Sequence, residues 1–270
     1  MYDEMLNKDY KNPNKLYKKL HTWLLNQNSS SLLNQSIRAE ELFRKVGITF
    51  NVYGEDEAEE RLIPFDFVPR IIEKKEWDFV KSGIVQRLTA INMFLKDIYY
   101  DQKIVKEGII PSELINNNSA FKPQMCGFSP PGDIYIHVSG VDLIRTSKKN
   151  FYVLEDNLRV PSGASYMIEN RSTMMHMFPE LFTNYNVHNV YNYPDLLLKS
   201  LIKCSNNLSH NPNIAVLTPG IFNSAYFEHS FLADEMGVNL LEWRDLIIEN
   251  NKVVIKTTKG KEIIDILYRR

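Results

Sequence analysis

"VLEDNLRVPSGASYMIENR" occupies residues 153–171, and its reading decides the fold. An apolar strand ends in Glu155, Asp156 and Asn157, then passes through a Pro-Ser-Gly turn into a helical pattern. Carboxylates on a sheet are costly unless something cationic neutralises them. Upstream, the strand-like GVDLIRT is separated from this run by the polar turn SKKN at 147–150. With those four residues as a hairpin loop and Thr146 and Phe151 as the first flanking pair, Asp142 faces Glu155 directly. Their Cβ atoms then lie about 4.5–5.5 Å apart, and Asn157 shares their face because strand side chains alternate. Two carboxylates and an amide oxygen at this spacing suit Mg²⁺, which takes one or two carboxylates and completes its shell with water and phosphate. Alternatively, the acids pair with Arg145 or Arg159 at an exposed strand end. A one-residue slip in register would undo the set.

The turn RVPSGAS extends the pattern. Ser162, Gly163 and Ser165 offer N–H and hydroxyl groups ahead of a helix beginning near Tyr166. Such a terminus either binds an anionic group or is an ordinary capped helix start.

Further upstream, residues 1–46 read as helical, with one segment stopping at Gly47 as a C-cap. ITFNVYG reads as a short strand and IPFDFVPRII as an ordered loop in which Asp66 and Arg70 serve either a structural salt bridge or catalysis, with Arg70 meeting an anionic substrate. Residues 73–104 form a long amphipathic helical stretch with a break expected at Gly83. DIYIHVSGVDLIRT is strand-like throughout, which places His137 within a strand. Downstream, NIAVLTPGIFNSAYFEHSFLADEMGVNLLEW gives strand, turn, helix and strand, the pattern of a parallel α/β unit. Its Thr218, Gly220, Asn223 and Ser224 lie where such units often bind ligands; the alternative is a tight turn with no role in binding. Glu228 and His229 read as a surface pair or a packed polar contact. KVVIKTTKGKEIIDILYRR reads as a terminal hairpin.

The 270 residues carry a formal net charge of −1, with 44% hydrophobic and 24% charged side chains. That balance gives no electrostatic case for nucleic acid or an anionic membrane. Cys126 and Cys204 fit no disulfide or ligand framework. With no leader pattern and no apolar run near membrane length, a cytoplasmic protein is expected. DILYRR stops on an apparent strand, so the chain is expected to be a fragment of a longer protein.

Asp142, Glu155 and Asn157, with the Pro-Ser-Gly that follows, resemble the magnesium motif of ATP-grasp ligases. Specifically, the chain resembles circularly permuted ATP-grasp proteins of the type related to glutathionylspermidine synthetase-like ligases. GITFNVYG, PFDFVPRII, GIIPSELI, VLEDNLRVPSGASYMIENR, LTPGIFNSAYFEH and DILYRR carry the likeness across nearly the whole chain. The resemblance implies a mixed α/β (α+β) fold in three parts. Residues 1–122 are a helical N-terminal region, 123–200 the metal-ligand subdomain, and 201–270 a pre-ATP-grasp-like α/β unit cut short.

The implied activity is an ATP- and Mg²⁺-dependent carboxylate–amine ligase that forms an amide or peptide bond through an acyl phosphate. Its partners are small-molecule or peptide carboxylates and amines. Asp142, Glu155 and Asn157 carry over as Mg²⁺ ligands. Arg159 stabilises the transferred phosphoryl group, with Ser162 and Gly163 beside the reacting groups. Arg145, Arg269 and Arg270 are the candidates to meet nucleotide phosphate, although the last two are expected to fray as terminal residues. Thr218, Gly220, Asn223 and Ser224 are the substrate-side set. Many family members carry Arg where this chain has Gly140, and the nucleotide-clamping lysines are expected beyond Arg270. On that account the chain is expected to be an incomplete, inactive portion. The alternative is a non-catalytic ligand-binding or scaffold module that keeps the fold.

Overall fold

The computed structural model describes residues 3–6, 12–53, 58–147, 150–183, 185–205 and 211–270, without the side chains of 50–61. Helices α1 (Lys18–Leu25) and α2 (Ser29–Val46) come first. Asn28 caps α2 by accepting the Ser31 N–H at 2.7 Å, and Gly47 ends it at φ 77°, a conformation that strains any side chain. The expected strand, β1 (Thr49–Tyr53), pairs antiparallel with β2 (Ala58–Leu62), a partner the sequence reading did not supply. Residues 1–2 and 7–11, within the region read as helical, lie outside the described residues.

The proline-framed loop is ordered by what it buries. Phe65, Phe67, Val68 and Ile71 pack on Tyr17, Leu20 and Phe178, and the Tyr17 hydroxyl bonds both backbone groups of Ile71. Arg70 pairs with Glu4 at 2.5 Å, while Asp66 instead accepts the Val68 N–H.

Helix α3 (Lys74–Tyr99) runs unbroken through Gly83. An interior glycine costs about 1 kcal/mol relative to alanine, which a helix of 26 residues absorbs. After the short α4 (Lys103–Lys106) and α5 (Ser112–Asn116), residues 133–139 form no strand. The Asn92 side chain takes their backbone groups, donating to Asp133 O and accepting from Tyr135 N. His137 therefore sits in a bend, and the strand begins only at Gly140.

β3 (Gly140–Arg145) and β4 (Phe151–Asn157) form the hairpin. α6 (Ala164–Met177), α7 (Pro179–Thr183) and α8 (Tyr193–Lys203) follow. β5 (Ile214–Leu217), α9 (Tyr226–Met236) and β6 (Asn239–Leu241) make the expected parallel unit. β7 (Leu246–Glu249), β8 (Lys252–Thr257) and β9 (Gly260–Ile263) form an antiparallel meander. The expected terminal hairpin is β8–β9, but its last segment leaves it. β10 (Ile266–Arg269) pairs parallel with β5, giving the order β10-β5-β6.

Strand alternation explains how this sheet is covered on both faces. Ile214 and Val216 pack with Leu197 and Leu201 of α8 and with Leu232 and Met236 of α9. Ala215 and Leu217 turn to Ile255 and Ile264 of the meander side. A boundary at residue 200 would cut α8, whose two core leucines belong to this packing. No described helix is long and apolar enough to cross a membrane. The whole is a mixed α/β fold.

Candidate cation site on the hairpin

Asp142 faces Glu155, and Gly140 faces Asn157, as the alternation required. The first flanking pair differs from expectation: Arg145, not Thr146, faces Phe151, and the register shifts between Asp142 and Leu143. Leu154 is the extra residue in β4, 74% exposed. A bulge of this kind bends the strand and re-aims the side chains beside it. It restores the Asp142–Glu155 pairing that the loop-side register, with its longer connection at 146–150, would have lost. Lys148 and Lys149 of the turn lie outside the described residues.

The two hairpin faces have opposite characters. Asp142, Glu155 and Asn157 are exposed on one of them. Among the described residues their side chains make no hydrogen bond or ion pair. Asp156 points to the other face, where Arg87 of α3 holds it by three hydrogen bonds of 2.6–2.9 Å. Those bonds hold the Asp156 carboxyl below its usual range. Arg145 lies on that same face, 6% exposed, pairing with Glu4 and Glu76 and lying over the Phe151 ring at 4.9 Å. Thus the EDN run splits: the middle acid fastens the hairpin to α3 and the outer two residues face solvent.

No group of three or more His, Cys, Asp or Glu gathers among the described residues. The hairpin instead offers two carboxylates plus an amide, a hard oxygen set that fits Mg²⁺. Gly140 has a steric reason, since a Cβ there would meet Pro161 Cβ at 2.9 Å. An arginine at this position would displace that ring.

The turn after β4 is held from inside. Glu228 of α9, 1% exposed, accepts from Gly163 N at 2.6 Å, Ser165 N at 3.1 Å and Ser165 Oγ at 3.0 Å. An internal carboxylate therefore occupies the helix N-terminus that the sequence offered to an anion. Arg270 does not fray: its side chain is 2% exposed and pairs with Glu228 at 2.6 Å. Arg269 closes β10 opposite Leu217 and lies 5.7 Å from the Trp243 ring. Ser162 and Arg159 remain exposed, and Arg159 makes no hydrogen bond or ion pair among the described residues.

On the loop after β5 the four candidates separate. Thr218 is buried and bonds His229 Nδ1 at 2.8 Å and Gly220 N at 3.2 Å. Asn223 and Ser224 line a cavity of about 280 Å³ together with Gly47, Thr49 and Tyr226. Burial and the nearby Arg270 push the His229 pKa down to about 4.

Sequence reasoning left Glu228 and His229 at the surface or in an unspecified polar contact. Their signal was positional: the buried residues of α9 are Glu228, His229, Leu232, Ala233 and Met236, one helical stripe. Two polar residues inside an apolar stripe mark a buried network. Arg87 carried no comparable signal, because its partner lies 69 residues away.

Fold and site together define a mixed α/β protein with an exposed acidic hairpin joined through Glu228 to a parallel α/β unit. Residues 69–270 match the model of a circularly permuted ATP-grasp. The chain is 46% identical over 225 residues to an uncharacterized protein of Synechocystis sp., covering 83% of this chain and 47% of that protein. It is 44% identical over 254 residues to an uncharacterized protein of Mycobacterium tuberculosis, covering 94% and 45%. Against a putative glutamate–cysteine ligase of Frankia casuarinae it is 38% identical over 226 residues, covering 83% and 26%. The chain belongs to the circularly permuted ATP-grasp family. It spans less than half the length of each of these relatives.

Proposed function

We propose that the chain supplies the cation-ligand hairpin of an ATP- and Mg²⁺-dependent carboxylate–amine ligase. One observation carries the reading: Asp142 and Glu155 face each other on an exposed face with Asn157, without partners among the described residues. Like charges set opposite one another destabilise a ladder, a cost that a cation joining them would remove. Family membership and the name of the Frankia relative support the reaction class.

In this reading Asp142, Glu155 and Asn157 hold Mg²⁺. Bound there, the ion neutralises phosphate charge as it develops. A substrate carboxylate oxygen attacks the γ-phosphorus of ATP, ADP leaves, and an acyl phosphate remains. The amine then attacks the acyl carbon, expels phosphate and gives up its proton. Arg159, exposed beside the hairpin, meets the transferred phosphoryl group by bidentate contact. Ser162 lies next to it as a hydroxyl donor. Asn223 and Ser224 offer uncharged donors and acceptors to a small-molecule or peptide substrate. Arg145 and Arg270 act as scaffold, with their charges matched by buried or half-buried glutamates.

Titration with Mn²⁺ followed by electron paramagnetic resonance tests the site on the chain itself. Saturable binding is expected, and it should vanish in Glu155→Ala and weaken in Asn157→Ala. In a longer protein containing this chain, the same substitutions should reduce ATP-dependent phosphate release to background. Wild-type release in both variants rejects the assignment.

A further inference from the structure

A series of contacts leads from Arg270 to the hairpin ligands. Arg270 donates to Pro161 O at 2.7 Å, to the Tyr268 hydroxyl at 2.9 Å and to Glu228 Oε1 at 2.6 Å. The other oxygen of Glu228 gathers Gly163 N and both donors of Ser165. A single ion pair thus grips the turn at residues 161, 163 and 165. Pro161 in turn lies against Gly140, close enough that a Cβ there would sit 2.9 Å from Pro161 Cβ. Gly140 is the ladder partner of Asn157, and the next pair on that face is Asp142–Glu155.

We propose that Glu228 and Arg270 are positioning residues for the hairpin cation site. They fix the turn at 161–165, so that Pro161 seats on Gly140 and holds Asn157 in line with Asp142 and Glu155. The inference rests on the cation reading above and extends it to two residues that touch none of the ligands. Its physical basis is the limited net stability of buried ion pairs, whose desolvation offsets most of their attraction. What such a pair supplies is geometry: three donors converge on one oxygen, and each bond restricts the turn. Groups that hydrogen-bond a ligand side chain directly change metal affinity roughly 10–100-fold; Glu228 and Arg270 act at least one contact further out, so a smaller effect is expected of them.

The test uses the full chain and Mn²⁺ as the probe. Glu228→Gln/Arg270→Gln removes both charges together and leaves no buried charge unpaired. Gly140→Ala displaces Pro161, whose carbonyl Arg270 holds, while leaving both charges of the ion pair in place. Both variants are first checked by circular dichroism and cooperative melting. Each should weaken Mn²⁺ binding severalfold, by less than the roughly 10–100-fold seen for direct ligand partners, with faster amide exchange at Gly163 and Ser165 in the double variant. If the double variant does not fold, Arg270→Lys, which keeps the positive charge opposite Glu228 but lacks the guanidinium fork that also reaches Pro161 O, takes its place in the same Mn²⁺ titration. Wild-type affinity in any folded variant overturns the positioning role. Absence of Mn²⁺ binding in the wild-type chain overturns the cation reading itself, and this inference with it.

Discussion

Glu155 and Glu228 are the same side chain under opposite conditions. Glu155 stands exposed, opposite another carboxylate, with no partner among the described residues. Glu228 is 1% exposed and has both oxygens engaged by four donors. Within three residues of β4 the contrast repeats, since Asp156 is held by Arg87 while Glu155 and Asn157 face away. Charges matched inside the fold set geometry. Those left unmatched on one face are the ones the proposed cation site draws on.

The largest effect should come from breaking the matched pair on one side only. Glu228→Ala leaves the Arg270 guanidinium buried without its counter-charge and frees three donors of the turn. Removing one member of a buried pair costs about 3–5 kcal/mol. Chemical denaturation should show that loss, together with a melting point far below wild type. A change inside measurement error would mean that Glu228 does not organise this junction.

His229 sharpens the same contrast through pH. Its folded pKa, about 4, lies below the ordinary 6.5 because burial and Arg270 oppose the charged form. The unfolded chain therefore takes up this proton first as pH falls. The contribution is complete above about pH 6.5 and is lost progressively toward pH 4. Melting curves across that window should fall more steeply for wild type than for His229→Gln. Parallel curves would show that His229 is not held neutral.

How much of this was legible in the sequence follows from the range of each interaction. Local rules placed the Gly47 cap, the β5-α9-β6 unit and the Asp142–Glu155 pairing, but not the Asn28 cap of α2. The pairing was reached through a register that fails next to the turn, and the bulge at Leu154 compensated. Nothing local announces a bulge in an apolar run such as FYVLE. Glu228 finds Gly163 across 65 residues, and Asn92 suppresses a strand 43 residues away. Those contacts depend on tertiary packing, which period and propensity do not encode. Family likeness carried the chemistry where local reading gave only a cluster of oxygens.

The smallest effect has the opposite sign. Glu155→Gln keeps the shape of the side chain and removes the like-charge opposition to Asp142. Without a cation the variant should melt slightly higher than wild type, by about 1–2 °C. With saturating Mn²⁺ the order should reverse, because only wild type gains stability from binding. A site kept for internal structure predicts the reverse of the first result, since losing a useful charge lowers stability. A variant that melts lower than wild type in both conditions would place Glu155 with Glu228 and Asp156, among the charges matched by the fold. The crossing of the two melting orders separates an unmatched carboxylate awaiting a ligand from one the protein already uses.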